Sequence, residues 1–367
     1  MDNLSQLIGE RIGIARDSSG YSQEALAKVL GFKDRQTVSS IELGQRKVSP
    51  EELVQVAKVL QKPLDYFTDP YVVAEKNQFS YRTTSRSKDV LEDFEHQAER
   101  LISASRRFRK LLGETATPVQ PQLSAITKGM PFDFVAYQGE QTAAAWSLGD
   151  IPALRLRDMA ETKLGISILF VDAPDTVSGA ACRLRDGGVI LLNRNEAPCR
   201  LNFSMGHEIF HLLTWDKMPP EQLDLEDDAS HSRSKVEMLA DTYTGGLLMP
   251  KIVIEARWKS RGNQAIDTWI RTHAQDLRVS SKALYWRLVN LEFISKEDIS
   301  IKTLKPAGSV KGESRPNLYN RSFVERLHRV LSEGYITVLK STDLLDCTID
   351  DLRALFESYK LSVPFAL

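Results

Sequence analysis

Gly206-His207-Glu208-Ile209-Phe210-His211 sets two imidazoles four residues apart, with a carboxylate directly after the first. On a helix, residues at that spacing stack on one face about one turn apart, so His207 and His211 can aim ring nitrogens at a single ion. Zinc suits such ligands, and a catalytic zinc takes three protein ligands and leaves a fourth position for water. Glu208 lies about 100° around the helix from His207, near enough to take a proton from that water without binding the metal itself. The chemistry implied is metal-assisted hydrolysis of an amide, with Glu208 as general base. Phe203, Met205, Ile209, Phe210, Leu212 and Leu213 surround the motif with apolar residues, which predicts a largely buried helix. A histidine pair in such a helix is costly unless something satisfies it, and metal ligation does so.

The third ligand comes from elsewhere in the chain. A metzincin continuation is excluded, because Thr214 and Lys217 stand where that pattern needs glycine and histidine. Ser234 to Tyr243 reads as a second helix, with Ala240, Tyr243 and Leu247 on its apolar face, and Glu237 is the expected third ligand. His231 is the alternative, set in the acidic, Ser-rich run 226–234 that reads as a loop. Asp241, one turn after Glu237, either binds the metal or orients one of the imidazoles from behind.

The run Gly206 to Leu213, followed by Glu237-x-x-Ala240-Asp241-x-Tyr243 and Leu247-Leu248-Met249-Pro250, resembles the ImmA/IrrE family of zinc metallo-endopeptidases over roughly residues 130 to 295. The resemblance implies one zinc ion per chain held by His207, His211 and Glu237, Glu208 as general base, and a repressor-type protein as substrate, cut at a limited site. Thr244 departs from the alanine usual in that family.

Residues 1–68 read as five short helices. Leu4, Leu7, Ile8, Ile12 and Ala15 form one apolar stripe, and Ser22 caps a second helix that Gly31 ends. A third helix from about Arg35 to Leu43 keeps Val38 and Ile41 inward, and Pro50 to Leu60 and Leu64 to Phe67 complete a helix-turn-helix arrangement. Gln36, Thr37, Ser39 and Ser40 carry the donors and acceptors that read base edges, and Gln23, Lys33, Arg35, Arg46 and Lys47 are suited to phosphate. Ser22-Gln23-Glu24-x-Leu26-Ala27, Val38-Ser39-x-Ile41-Glu42-x-Gly44 and Arg46-x-x-Ser49-Pro50 resemble the XRE family of Cro/C1-type repressor domains over about residues 5 to 68. One extra residue lies between Gly31 and the third helix, so Gln36, Thr37 and Ser40 stand as alternatives for the residue that enters the groove. The partner implied is a double-stranded DNA operator, and since one such unit covers a half-site, a homodimer is expected.

Between these regions, Phe79 to Arg82 reads as a short extended piece. Val90 to Leu112 reads as a helix with Leu91, Phe94, Ala98, Leu101, Ile102 and Phe108 on one side, an arm that spaces or dimerises domains. Its basic run Arg106-Arg107-Phe108-Arg109-Lys110 is read as a solvated face or as a DNA contact. Helical stretches at 143–146 and 154–164 precede three strands, 166–171, 180–184 and 189–193, the last two flanking the hairpin signal Asp186-Gly187-Gly188. Val189 to Asn193, just upstream of the metal helix, is taken as the exposed edge that binds extended substrate. Ile266 to Leu291 gives two further helices, 302–317 a Pro/Gly/Ser/Lys-rich linker, and 321–331 and 344–359 a helical module.

The expected fold is therefore α+β and multidomain: an all-α helix-turn-helix domain (1–70), a helical arm (71–122), a mainly helical zincin-like domain with a small sheet (123–296), and a linker with a short helical C-terminal module (297–367). The 367 residues are 42% apolar and 26% charged, an ordinary globular composition, and no apolar run approaches a membrane span. Three scattered cysteines argue against a disulfide framework, and a cytoplasmic location with no membrane partner follows. With a formal net charge of −1, DNA contact must come from a local patch. Two rival readings accompany the peptidase: a non-proteolytic DNA-binding or antitoxin-like autoregulator whose zinc fold is a sensor or structural module, and self-cleavage near Tyr71 to Thr84.

Overall fold

The computed structural model describes residues 4–71, 79–83, 88–114, 123, 125–184, 187–219, 234–306 and 314–365. Five helices open the chain: α1 (Leu4–Ser18), α2 (Gln23–Leu30), α3 (Arg35–Glu42), α4 (Pro50–Val59) and α5 (Leu64–Thr68). Their ends are set locally. Ser22 and Asp34 accept from the backbone N–H of Ala25 and Thr37, Ser49 forms a capping box with Glu52, and Gly31 ends α2 in the left-handed conformation at φ 71°. Ile12, Leu26, Val38, Ile41 and Phe67 fill the centre of this bundle.

The remaining elements surround one four-stranded sheet, β1 (Phe79–Thr83), β2 (Ile166–Val171), β3 (Val177–Leu184) and β4 (Gly187–Asn193), in the order β1-β3-β4-β2. β3 and β4 are antiparallel, β2 and β4 parallel, and β1 adds antiparallel to β3 with Ser80 opposite Ala181. Successive side chains alternate between two cores, as a pleated strand requires. Ile168, Phe170, Ala181, Ile190 and Leu192 pack with α9 (Pro198–Thr214), α10 (Lys235–Leu248) and the helices that follow. Leu169, Val171, Cys182, Val189 and Leu191 face α6 (Lys88–Leu111) and the C-terminal helices.

Three expectations change here. Val189 to Asn193 is not an edge: β4 is hydrogen-bonded to β3 on one side and β2 on the other, and every one of its residues is buried. The helix expected as a spacing arm packs instead on the second face of the sheet, where Phe108 meets Phe323 of α14 (Arg321–Ser332) at 5.6 Å between ring centroids. The stretch at 143–146 is only the end of α7 (Phe132–Ala145).

α7 crosses α10 at very short range. A Cβ on Gly139 would stand 2.2 Å from the Tyr243 carbonyl oxygen, and one on Gly246 would stand 2.0 Å from that of Ala136. Only glycine allows this approach, and it sets the spacing between α7 and α10. α8 (Leu156–Lys163) leads into β2, while α11 (Lys251–Lys259), which the sequence reading did not anticipate, α12 (Ile266–Asp276) and α13 (Ser281–Asn290) close the first core. α15 (Val338–Leu345) and α16 (Ile349–Ser358) complete the second.

Candidate functional site

α9 begins with Pro198 in its first turn and is buried continuously from Ser204 to Thr214. His207 and Glu208 have no exposed surface, and His211 has 1%. Ser234 caps α10 by accepting from the Glu237 N–H, placing that carboxylate in the first turn against α9. His207 Nε2 lies 3.0 Å from Glu237 Oε2, His211 Nε2 lies 3.2 Å from Glu237 Oε1, and the two Nε2 atoms are 3.1 Å apart. One turn on, Asp241 Oδ1 meets His207 Nδ1 at 2.9 Å.

The donor chemistry of this cluster fits a metal. Two imidazole nitrogens and a carboxylate, all Lewis bases, converge with their ligand atoms within 4.8 Å of one another. Hydrogen bonds alone serve such a triangle poorly, because each ring nitrogen carries at most one proton. A cation among the three satisfies them together, and bonds of about 2.0–2.2 Å to N and O are compatible with the separations seen. Asp241 stands on His207 Nδ1, where a carboxylate would fix the ring and tautomer of a histidine that bound metal through Nε2. His231 lies outside the described residues.

Protonation in the cluster follows the same geometry. Burial pushes His207 down, but its bonds to Asp241 and Glu237 outweigh this and carry it up to about 9. Burial pushes Glu237 up, and the two imidazoles hold it well below the usual carboxylate range. Glu208 is raised by burial, against the pull of both imidazoles and of a hydroxyl. That hydroxyl belongs to Ser80 of β1, whose Oγ donates to Glu208 Oε2 at 2.5 Å. Among the described residues, Glu208 Oε1 and His211 Nδ1 are buried without a partner. The cluster is open to solvent on the α10 side, where the Glu237 and Asp241 side chains are 28% and 24% exposed and Asp241 lines an open cleft of about 900 Å³. Sequence reasoning missed Ser80, since nothing local links it to a carboxylate 128 residues away.

In the N-terminal bundle, Lys33, Arg35, Gln36 and Lys47 are exposed, and Thr37, Ser39 and Ser40 are half-buried on or beside α3. Two expected phosphate contacts have internal partners. Gln23 donates to Glu42 at 2.7 Å, which Arg16 also holds at 2.6 Å, and Arg46 is bonded to Glu52 at 2.6 Å and lies over the Phe32 ring. Thr37 bonds the α3 cap, Asp34. In the basic run on α6, Arg109 is buried, Arg106 and Arg107 are half-buried, and only Lys110 is exposed, so the run is not an open basic face.

Residues 12–67 match the family model described as helix-turn-helix, and residues 161–289 match the one described as IrrE N-terminal-like domain, a peptidase family. No curated protein matches the chain. A DNA-binding helix-turn-helix of XRE type is thus followed by a metallopeptidase-type domain, which contains β2 to β4 and the elements carrying the histidines, Glu208, Glu237 and Asp241. β1 lies outside both matches. No described helix is long and apolar enough to cross a membrane.

Proposed function

We propose that this chain is a cytoplasmic, operator-binding transcriptional regulator and a zinc endopeptidase, cutting a repressor-type protein at a limited site. The observation that carries the reading is the convergence of His207, His211 and Glu237 on one point, with Glu208 beside them on the same helix. One zinc ion held by these three supplies, when bound, a water of lowered pKa and a polarised scissile carbonyl. Glu208 takes the proton of the attacking water and hands it to the leaving amine. Asp241 holds the His207 ring from behind, and burial keeps bulk water from Glu208. In the helix-turn-helix region, Gln36, Thr37, Ser39 and Ser40 read bases, and Lys33, Arg35 and Lys47 bind phosphate, with Gln23 and Arg46 positioned through Glu42 and Glu52. Two chains bind a two-fold operator. Segment 1–70 is the DNA reader, and segments 71–122, 123–296 and 297–367, which share the sheet and its two cores, work as one body.

Elemental analysis tests the site: about one zinc per chain, lost in Glu237→Ala and kept in His231→Ala. Zinc retained in Glu237→Ala would sink the ligand set. The burial of His207, Glu208 and His211 favours a second reading, a zinc-bearing structural or sensor module that cleaves nothing. Glu208→Ala separates the two: loss of regulation in cells with operator binding intact supports the peptidase, and unchanged regulation supports the module.

A further inference from the structure

β1 lies 83 residues before β2 in the chain and outside the matched region 161–289, yet it pairs with β3 along its whole length. Without it, the sheet would be β3-β4-β2, and β3 would expose a row of backbone N–H and C=O groups. Such an edge binds an extended peptide by main-chain hydrogen bonds. This edge also runs over the reactive carboxylate: a Cβ on Gly179 of β3 would stand 3.7 Å from Glu208 Cγ, and Gly179 is paired with Arg82 of β1. Two residues away, Ser80 sits opposite Ala181, 3% exposed, with its hydroxyl on Glu208 Oε2. That carboxylate is where an attacking water would leave its proton.

We propose that β1 is an internal substrate mimic. It fills the β3 edge on which an extended protein substrate pairs, and the Ser80 hydroxyl occupies Oε2, one of the two acceptors that Glu208 offers to water. The inference rests on the peptidase reading above and adds a substrate class to it: an unfolded or extended segment, antiparallel to β3, with a small side chain opposite Ala181. Tethered in the same chain, β1 is present at an effective concentration on the order of millimolar, so free substrate competes poorly until β1 leaves.

The test uses the zinc-loaded full chain and fluorescently labelled casein. Phe79 and Cys182 are directly opposed across the ladder, a spacing of about 4.5–5.5 Å between Cα atoms that a disulfide spans. Oxidised Phe79→Cys should therefore lock β1 in place and lose about tenfold or more of its cleavage rate, regained on reduction. Ser80→Asp sets a second carboxylate against Glu208, expels the strand and should raise the rate by a similar factor over wild type. Equal rates for the locked and reduced forms would overturn the proposal. So would a zinc-dependent cut of the chain between 71 and 84, which would make β1 a substrate. If no form cleaves casein, the peptidase reading fails, and amide hydrogen exchange decides the edge separately. A synthetic peptide of residues 76–86 that protects 177–184 in Ser80→Asp, and not in wild type, upholds the occupied edge; no protection in either refutes it.

Discussion

The helix-turn-helix bundle holds its candidate DNA-contacting groups in solvent, and the histidine–carboxylate cluster holds its own groups inside the protein. Lys33, Arg35, Gln36 and Lys47 stand in solvent within one stretch of 15 residues, each free to meet a ligand that arrives from outside. His207, Glu208 and His211 are buried, and their partners come from a second helix and from a strand far away in the chain. An exposed polar group loses little when it is changed. A buried one leaves its neighbours uncompensated. Changes at the cluster should therefore act on assembly as well as on chemistry, whereas changes at α3 should act on recognition alone.

The largest effect is expected at His211. Replacement by alanine leaves one imidazole and one carboxylate, too few to hold zinc tightly, and zinc content should fall from about one per chain to near none. Operator affinity should be unchanged, because the bundle has its own core. Zinc retained at the wild-type level would be fatal to the cluster as a metal site.

Gly246→Ala probes assembly with no ligand touched. The new Cβ would meet the Ala136 carbonyl oxygen and carbon at 2.0 and 2.9 Å, backbone atoms that cannot turn aside. α7 and α10 must then separate, at a cost of about 3 kcal/mol. The lowered denaturant midpoint should come with weaker zinc binding, since α10 carries Glu237 and Asp241. A stable variant with normal zinc affinity would show that the crossing is looser than drawn. Asp241→Asn is milder, because the amide oxygen still accepts from His207 Nδ1. Zinc affinity should drop about 10-fold to 100-fold, measured by competition with a chromogenic chelator, and no drop would remove Asp241 from the site.

The same contrast explains what could be read in the chain. The five N-terminal helices, the β3–β4 hairpin and α9 are written in caps, turns and spacings a few residues long, and their positions agree with expectation. Strand order is not local, and Val189 to Asn193 was misplaced at an edge for that reason. Its unbroken apolar run was the signal that β4 is covered on both faces. α7 is recognised only at its end, and Gly139 within it is a point of close contact with α10. Ser80 had no readable signal: a serine in a short extended piece gains its meaning only from Glu208, brought to it by the fold.

The smallest effects lie on α3 and its flank, where the comparison can be sharpened within one surface. Gln36 is exposed in the first turn of α3, and Lys47 is exposed just before α4. A side chain that reads a base changes the ranking of sequences, and one that meets a phosphate changes all of them alike. Gln36→Ala should weaken binding to the best operator by about 1–3 kcal/mol while sparing operators altered at the contacted base pair. Lys47→Ala should weaken every sequence equally and lower the slope of log affinity against log salt by about one. Fluorescence anisotropy across a salt series on two operators measures both. Operator-selective loss in Lys47→Ala, with a uniform loss in Gln36→Ala, would turn the bundle around on its DNA.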